Sequence, residues 1–341
     1  MNQTDSNEFK ILSKYTCTQN IDRIKYYNDS LTPEINALSV GYHLNKEKQT
    51  KTGGIFPFAI NEQNGSLEPI DKHTFLLDYG ILDIKFNTNN NKQLLYTSNS
   101  DNSYSIFDFS SHSSNKYYIE SSPSITTCNT LDIINNTKII LCSNDGYYHI
   151  YDYTSNEKIS SVKSHEFGIW SLYINDENTF FTGSEDNSIK LWDIRSNNKP
   201  ISVNNKSFDS SINSIIKLDI DSNIILTGSY DEKVTFFDLR KFPTELKQIK
   251  TEHSTWDIKQ TKSHKGDNLL LMASIYEGFN IWSIDSSLNM IHKLRLPLTK
   301  EEDKYHRSIV YGIDIKQRKD SVEILSCSFY DNLIMHWNYH G

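Results

Sequence analysis

Four side chains in the middle of the chain are of types that catalytic sites use: an imidazole, a hydroxyl, a carboxylate and an indole. They belong to the segments SHEFGIW, FTGSED and LWD, which supply His165, Thr182 or Ser184, Asp186 and Trp192. The same four groups can satisfy one another's hydrogen bonds between neighbouring strands, and burying four polar groups is tolerable only when each has a partner. We therefore predict that His165, Ser184, Asp186 and Trp192 form a structural tetrad and not a catalytic centre.

Other local signatures of chemistry are absent from the sequence. The chain contains no G-x-S-x-G elbow, P-loop, H-E-x-x-H motif or EF-hand loop. His253, His264 and His306 are single histidines without metal-ligand spacing, and we expect them in loops or on the surface. The four cysteines are scattered without a CxxC pair, so neither a zinc site nor a disulfide framework is predicted. We expect no metal.

A repeat of strands must position whatever site exists. An aromatic residue followed by Asp or another polar residue recurs at spacings of roughly 41 to 45 residues, the period of WD-type propeller blades. The pairs are Phe107-Asp108, Tyr151-Asp152, Trp192-Asp193, Phe237-Asp238 and Trp282-Ser283. Each pair ends a short alternating strand that follows another strand and an Asp, Asn or Gly turn, which is the pattern of a hairpin.

The repeat predicts an all-β fold, a seven-bladed WD-repeat β-propeller in a single domain spanning 1–341. The first blade is the weakest, and the last lacks a fourth strand at HWNYHG. We expect a strand over 11–18 to close that blade, because an open edge would template aggregation. The approximate blade limits are 19–77, 78–122, 123–164, 165–208, 209–253, 254–298 and 306–341.

Composition narrows the class of partner. The formal charge of −8 argues against a protein that binds nucleic acid or anionic membranes by neutralising phosphates. The N-terminus is polar, and no window approaches the roughly 18 apolar residues that a membrane span requires. We expect a monomeric cytoplasmic protein that contacts neither nucleic acid nor membrane.

Several strings in the second half carry a more specific resemblance. SHEFGIW with FTGSEDNSIKLWDIR, TGSYDEKVTFFDLR, STWDIK, SIVYG and CSFYDNLIMHW are similar to the diphthine methyl ester hydrolase (diphthine methylesterase) family of WD-repeat proteins, which acts in diphthamide biosynthesis. The resemblance runs from roughly Asp78 to the C-terminus. TGSYD, VYG and CSFYD discriminate most, because LWDIR is common among propellers.

The resemblance implies a reaction. The family hydrolyses a methyl ester on the over-methylated diphthine side chain of translation elongation factor 2, without a cofactor. Translation elongation factor 2 is therefore the expected protein partner, and other diphthamide biosynthesis proteins are further candidates. Hydrolysis requires an activated water or nucleophile and donors for the oxyanion. The trimethylammonio group of the substrate suits a pocket of aromatic faces and carboxylates.

The blade pattern then assigns residues to one face of the propeller, where the hairpin turns and the entries to the inner strands emerge. We expect aromatic side chains of this face to form the substrate-binding pocket, namely Trp170, Tyr230, Trp256, Tyr311 and Tyr330. The candidates for the catalytic base are His253, Glu277 and Asp331, although a turn role of the tetrad type also fits Asp331. The competing hypothesis for the whole protein is a non-catalytic WD-repeat scaffold that docks partner proteins on this face.

Overall fold

The computed structural model describes residues 9–45, 50–89, 92–119, 126–135, 137–196, 198–275, 278–296, 306 and 308–341. Antiparallel strands form seven sheets, each of four strands except for one with five. Over those residues the sole helix is a 3-10 turn at Asp71–His73, so no helix is long and apolar enough to cross a membrane. The prediction of an all-β, seven-bladed β-propeller is confirmed.

The strands follow one another along the chain in the predicted blade order. The first three blades, preceded by the N-terminal strand, comprise β1 (Phe9–Thr16), β2 (Asn20–Tyr26), β3 (Ala37–Asn45), β4 (Thr50–Ile60), β5 (Leu67–Pro69), β6 (Phe75–Leu77), β7 (Ile81–Asn89), β8 (Lys92–Asn99), β9 (Ser103–Asp108), β10 (Ser113–Tyr118), β11 (Cys128–Ile134), β12 (Lys138–Ser143), β13 (Tyr147–Asp152) and β14 (Glu157–Lys163).

The remaining four blades comprise β15 (Ile169–Ile174), β16 (Thr179–Ser184), β17 (Ile189–Asp193), β18 (Ser202–Asn204), β19 (Ile212–Lys217), β20 (Ile224–Ser229), β21 (Lys233–Asp238), β22 (Glu245–Lys250), β23 (Thr255–Lys262), β24 (Asn268–Ser274), β25 (Phe279–Ile284), β26 (Met290–Leu296), β27 (Val310–Gln317), β28 (Val322–Ser328) and β29 (Leu333–Tyr339).

The described residues fall into two compact units. The first contains 9–45, 52–77 and 256–341, and holds blades one, six and seven. The second contains 78–255, which holds blades two to five, together with 50–51 at the start of β4. In both units the middle strands of the blades are almost entirely buried, as in β20, where every residue is buried.

The N-terminal strand completes blade seven. β1 pairs antiparallel with β29, and the strand begins two residues earlier than predicted. The Phe9 ring stacks on Trp337 at 5.0 Å between centroids and meets Phe279 edge-on at 6.2 Å. Aromatic contacts and ladder hydrogen bonds together remove the open edge.

The hairpin turns between the second and third strands share one backbone device. The residue that follows the turn Asp adopts a positive φ at Asn102, Gly146, Asn187, Glu232 and Asn332. The preceding carboxylate accepts a backbone N–H two residues on, as Asp186 does from Ser188 and Asp231 does from Lys233. These Asx turns explain why Asp, Asn and Gly punctuate the repeat.

Candidate active site

A β-bulge near the start of the inner strand orients one side chain in several blades. In the first unit the pairing register shifts between Val310 and Gly312 in β27 and between Ile21 and Arg23 in β2. Tyr311 and Asp22 are therefore the unmatched residues of their strands. Bulges re-aim a side chain and recur beside active sites.

Gly312 explains how closely these two bulges approach each other. A Cβ at Gly312 would lie 3.1 Å from the backbone nitrogen of Ile24 and 2.9 Å from Sγ of Cys327. The glycine of the VYG string therefore lets β27 pack tightly on β2. The guanidinium Nη1 of Arg23 then donates to the backbone carbonyl of Tyr311 at 3.1 Å.

Three of the five aromatic residues predicted for the pocket meet in the first unit. The rings of Trp256 and Tyr311 are 4.9 Å apart at 67°, and those of Tyr311 and Tyr330 are 6.4 Å apart at 64°. Because the rings meet at steep angles, they form a corner and not a flat stack. Trp256 and Tyr311 are half-buried, whereas Tyr330 is 64% exposed, so one wall of the corner faces solvent.

Two further aromatic residues complete this aromatic corner and were not predicted. The ring centroid of Phe329 lies 5.4 Å from that of Tyr311 and 5.1 Å from that of Tyr330. The ring centroids of Tyr42 and Phe329 are 5.0 Å apart. Phe329 belongs to the string CSFYD and could have been inferred from its neighbour Tyr330. Tyr42 lies on β3 of the first blade, where the repeat is weakest, and its position depends on the tertiary structure.

Asp22 supplies a carboxylate at the aromatic corner, and no motif or spacing predicted it. The residue is 7% exposed, and Nη1 of Arg23 lies 3.4 Å from its Oδ1. Burial, followed by the charge of Asp22 and the neighbouring Tyr330, raises the pKa of Tyr42 above its ordinary value. Burial, Tyr330 and Asp22 likewise raise the pKa of Tyr311. Both phenols are therefore neutral at physiological pH.

A cluster of charged side chains lies on three inner strands of the first unit, β2, β23 and β27. Nζ of Lys259 contacts both oxygens of Asp257, at 2.7 and 2.8 Å, and Nζ of Lys25 lies 3.7 Å from Asp314. Burial lowers the pKa of Lys259 to about 8, although the Asp257 carboxylate opposes the shift. Burial disfavours the ionised form of Asp257, yet nearby cations, led by Lys259, hold the pKa of its carboxyl below the ordinary value.

The candidate base Asp331 lies beside a buried hydrogen-bond network in blade seven. Nε2 of His306 contacts Oγ of Ser326 at 2.7 Å, and Nε1 of Trp337 donates to the same hydroxyl at 2.7 Å. Burial lowers the pKa of His306 to about 4, although the Asp331 carboxylate opposes the shift. His306 lies outside the strands, as the loop alternative of the prediction had it, but it is not a surface residue, because it is 2% exposed and bonded to the buried hydroxyl of Ser326. The turn role therefore fits Asp331 better than the role of a base.

The second unit contains the tetrad predicted in blade four, but its hydroxyl belongs to Thr182 and not to Ser184. Nδ1 of His165 lies 2.9 Å from Asp186, and its Nε2 lies 2.7 Å from Oγ1 of Thr182. The indole of Trp192 donates to the same Thr182 hydroxyl at 2.8 Å. Ser184 is not the tetrad hydroxyl as predicted, because its Oγ donates to the backbone carbonyl of Phe167.

The remaining predicted site residues are divided between the second unit and residues outside the described range. The indole of Trp170 donates to Glu185, and Tyr230 is 39% exposed with its carbonyl accepting from Ser254. His253 is half-buried, and its carbonyl accepts from Thr251. Glu277, the third candidate base, lies outside the described residues.

The aromatic corner and Asp22 can bind a cation. Aromatic faces attract ammonium groups through their quadrupole, most strongly when water is partly excluded. Within the described ranges no three His, Cys, Asp or Glu side chains gather as a metal site. Burial raises the pKa of the Cys17 thiol to about 12, so this thiol is not an activated nucleophile.

Comparisons with known proteins agree with the fold and with the resemblance. The family "WD domain, G-beta repeat" matches residues 156–193, which include most of blade four. The protein named "Diphthine methyltransferase homolog" of Dictyostelium discoideum is 28% identical over 285 residues, covering 76% of this chain and 76% of that protein. The human "Diphthine methyltransferase" is 24% identical over 290 residues, covering 79% of this chain and 63% of that protein.

A solved structure supports the fold alone. A chain from "Crystal Structure of Mitotic Checkpoint Complex" superposes with a TM-score of 0.71 at 12% identity, covering 100% of this chain and 98% of that one. The resemblance inferred from the motif strings is confirmed by the relatives named diphthine methyltransferase.

Proposed function

We propose that this protein hydrolyses the methyl ester of the methylated diphthine side chain on translation elongation factor 2, a step of diphthamide biosynthesis. The aromatic corner beside Asp22 is the observation that carries the proposal. The similarity to proteins named diphthine methyltransferase supports a substrate of this kind. In this proposal the protein acts as a cytoplasmic monomer, without a cofactor, and other diphthamide biosynthesis proteins are candidate partners.

The chemistry of the aromatic corner matches the charge of this substrate. The trimethylammonio group has no N–H to donate, so it is bound by ring faces and carboxylates and not by directed hydrogen bonds. Trp256 and Tyr311 present rings at 67° to each other, and the buried Asp22 carboxylate, which Arg23 contacts at 3.4 Å, lies beside them. A neutral side chain of the same shape would gain much less from this set of groups.

The names of the relatives point to methyl transfer, whereas hydrolysis moves the acyl group to water. The two reactions differ in which bond of the ester breaks. Attack of water on the carbonyl carbon breaks the acyl–oxygen bond and releases methanol. Transfer of the methyl group breaks the methyl–oxygen bond, leaves both oxygens on the substrate and requires an acceptor for the methyl group.

The decisive experiment incubates the purified protein with elongation factor 2 bearing methylated diphthine in ¹⁸O-labelled water. Hydrolysis predicts methanol release, loss of one methylene in mass and one ¹⁸O atom in the new carboxylate. A carboxylate that contains no ¹⁸O would show methyl transfer. Unchanged substrate at stoichiometric protein would contradict both reactions and favour the non-catalytic scaffold.

Truncating one ring of the aromatic corner tests the pocket. Trp256→Ala removes a cation–π contact of about 1–2 kcal/mol, so kcat/KM should fall about 5- to 30-fold. Trp282→Ala is the matched control, because Trp282 lies in the same blade but packs on His292, with ring centroids 4.7 Å apart. Equal activity of the two variants would remove Trp256 from the pocket.

A further inference from the structure

The Asp257–Lys259 pair lies beside the aromatic corner on a single strand. Both side chains project from β23, two residues apart and therefore on the same side of the strand. The ammonium of Lys259 donates to both carboxylate oxygens of Asp257, at 2.7 and 2.8 Å. Arg23, which donates to the carbonyl of Tyr311 and contacts Asp22, also stabilises the charge of Asp257, so the pair lies next to the groups that border the corner.

The covalent structure of the proposed substrate limits where a base can act. Its quaternary nitrogen and its ester carbonyl carbon are attached to the same carbon atom, so they are about 2.5 Å apart. When the aromatic corner holds the ammonium group, the attacking water must lie at the border of the corner. A general base has to reach that water within hydrogen-bond distance or through one further water.

The electrostatics distinguish the titratable groups at this border. Asp257 stays ionised because its pKa is lowered, and a carboxylate of low pKa is a weak base. Burial lowers the pKa of Lys259 to about 8, which leaves a usable neutral fraction near neutral pH. Both lysine and carboxylate are about one fifth exposed, so water can reach them.

Charges on neighbouring strands also act on this pair. Lys25 on β2 lowers the pKa of Lys259, and Asp314 on β27 raises it. Lys25 and Arg23, both on β2, add to Lys259 in lowering the pKa of Asp257. Burial and three charged groups from three strands, Asp257, Lys25 and Asp314, thus set the pKa of Lys259.

We propose that Lys259 is the general base of the ester hydrolysis and that Asp257 is the residue that positions it. This inference rests on the proposed function. The neutral amine takes a proton from water while the water oxygen bonds to the ester carbonyl carbon. The tetrahedral intermediate then expels the methoxy group, which takes that proton from Lys259 and leaves as methanol. The new carboxylic acid releases its proton to solvent, so the products are carboxylate, methanol and one proton.

Lys259→Arg is the sharpest test, because arginine keeps the charge and the ion pair but does not deprotonate. General-base catalysis predicts a fall in kcat of about 100-fold or more with little change in substrate affinity. Lys85→Arg is the matched control, since Lys85 forms a similar pair with Asp132 at 3.1 Å on inner strands of the second unit. The control should keep the wild-type rate.

The pH profile supplies a readout that a structural ion pair would not move. Wild-type kcat should rise with pH and level off above about pH 8, because the base must be neutral. Asp257→Asn removes a charge that raises the pKa of Lys259, so the rising limb should move to lower pH. This shift tests the role of Lys259 as the base even if Lys259→Arg folds poorly. Ethylamine should partly restore the activity of Lys259→Ala.

Each outcome has a defined meaning. If the wild type releases methanol and Lys259→Arg works at a rate within threefold of it, Lys259 is not the base. The same conclusion follows if Asp257→Asn does not move the rising limb of the pH profile. Either result leaves the proposed function standing. A wild type that releases no methanol overturns the proposed function and this inference with it.

Discussion

The tetrad of blade four offers a stability prediction that separates two hydroxyls only two residues apart. In Thr182→Val a methyl group replaces the hydroxyl at almost constant volume, so no cavity forms. Thr182 is fully buried, and its hydroxyl contacts both Nε2 of His165 and Nε1 of Trp192. The substitution therefore leaves two buried polar atoms without partners.

The magnitude follows from those two atoms. Burial lowers the pKa of His165, so the imidazole is neutral, with its Nδ1–H donating to Asp186 and its Nε2 accepting from Thr182. Each buried polar atom left unpaired costs about 1–3 kcal/mol, so Thr182→Val should lower the free energy of unfolding by about 2–6 kcal/mol. The expected loss is near the upper end of single-substitution effects.

Urea unfolding at pH 7, followed by tryptophan fluorescence, measures the change. Thr154→Val is the matched control, because the Thr154 hydroxyl bonds to Asp152 in an exposed turn. The control should stay within about 0.5 kcal/mol of the wild type. If Thr182→Val did so too, the hydrogen bonds of Thr182 would not stabilise the blade.

Two further outcomes are expected. Burial lowers the pKa of both His149 and His306 to about 4 in the folded protein. As the pH falls below about 6.5, these histidines are protonated in the unfolded chain first, so the free energy of unfolding should be about 2 kcal/mol per histidine lower at pH 5 than above pH 6.5. Urea midpoints that stay constant from pH 7.5 to 5 would contradict this. Phe9→Ala removes the stack on Trp337 and should cost about 2–3 kcal/mol, while Lys10→Ala on the exposed side of β1 should change thermal stability little. Equal melting temperatures for the two variants would show that β1 does not anchor blade seven.

The fold was predictable because every blade repeats one pattern. The alternating strands, the Asx turns and the aromatic–Asp pairs are local features, and their recurrence fixes the number of sheets. Even the added strand β1 could be inferred, since a blade that lacks one strand leaves an edge that must be paired. The hydroxyl of the tetrad was placed incorrectly at Ser184 because Thr182 and Ser184 both point to the same side of β16.

The candidate site was predictable in part. Trp256, Tyr311 and Tyr330 could be assigned to one cluster because the starts of the inner strands, which hold Trp256 and Tyr311, and the hairpin turns, one of which holds Tyr330, emerge on the same face of a blade. The burial of His306 was not predicted, because Trp337, which shares the Ser326 hydroxyl with it, lies 31 residues away and the intervening spacing departs from the repeat.

The amino-acid sequence by itself determined the blades, their order and three aromatic residues of the site, because these depend on patterns within about 45 residues. Only the tertiary structure decided which charges the site contains. Asp22 reaches the aromatic corner because β2 packs against β27, almost 300 residues further along the chain, where Gly312 leaves room for the approach. The pKa of Lys259 likewise depends on charges from three strands, and no spacing along the chain encodes such a sum.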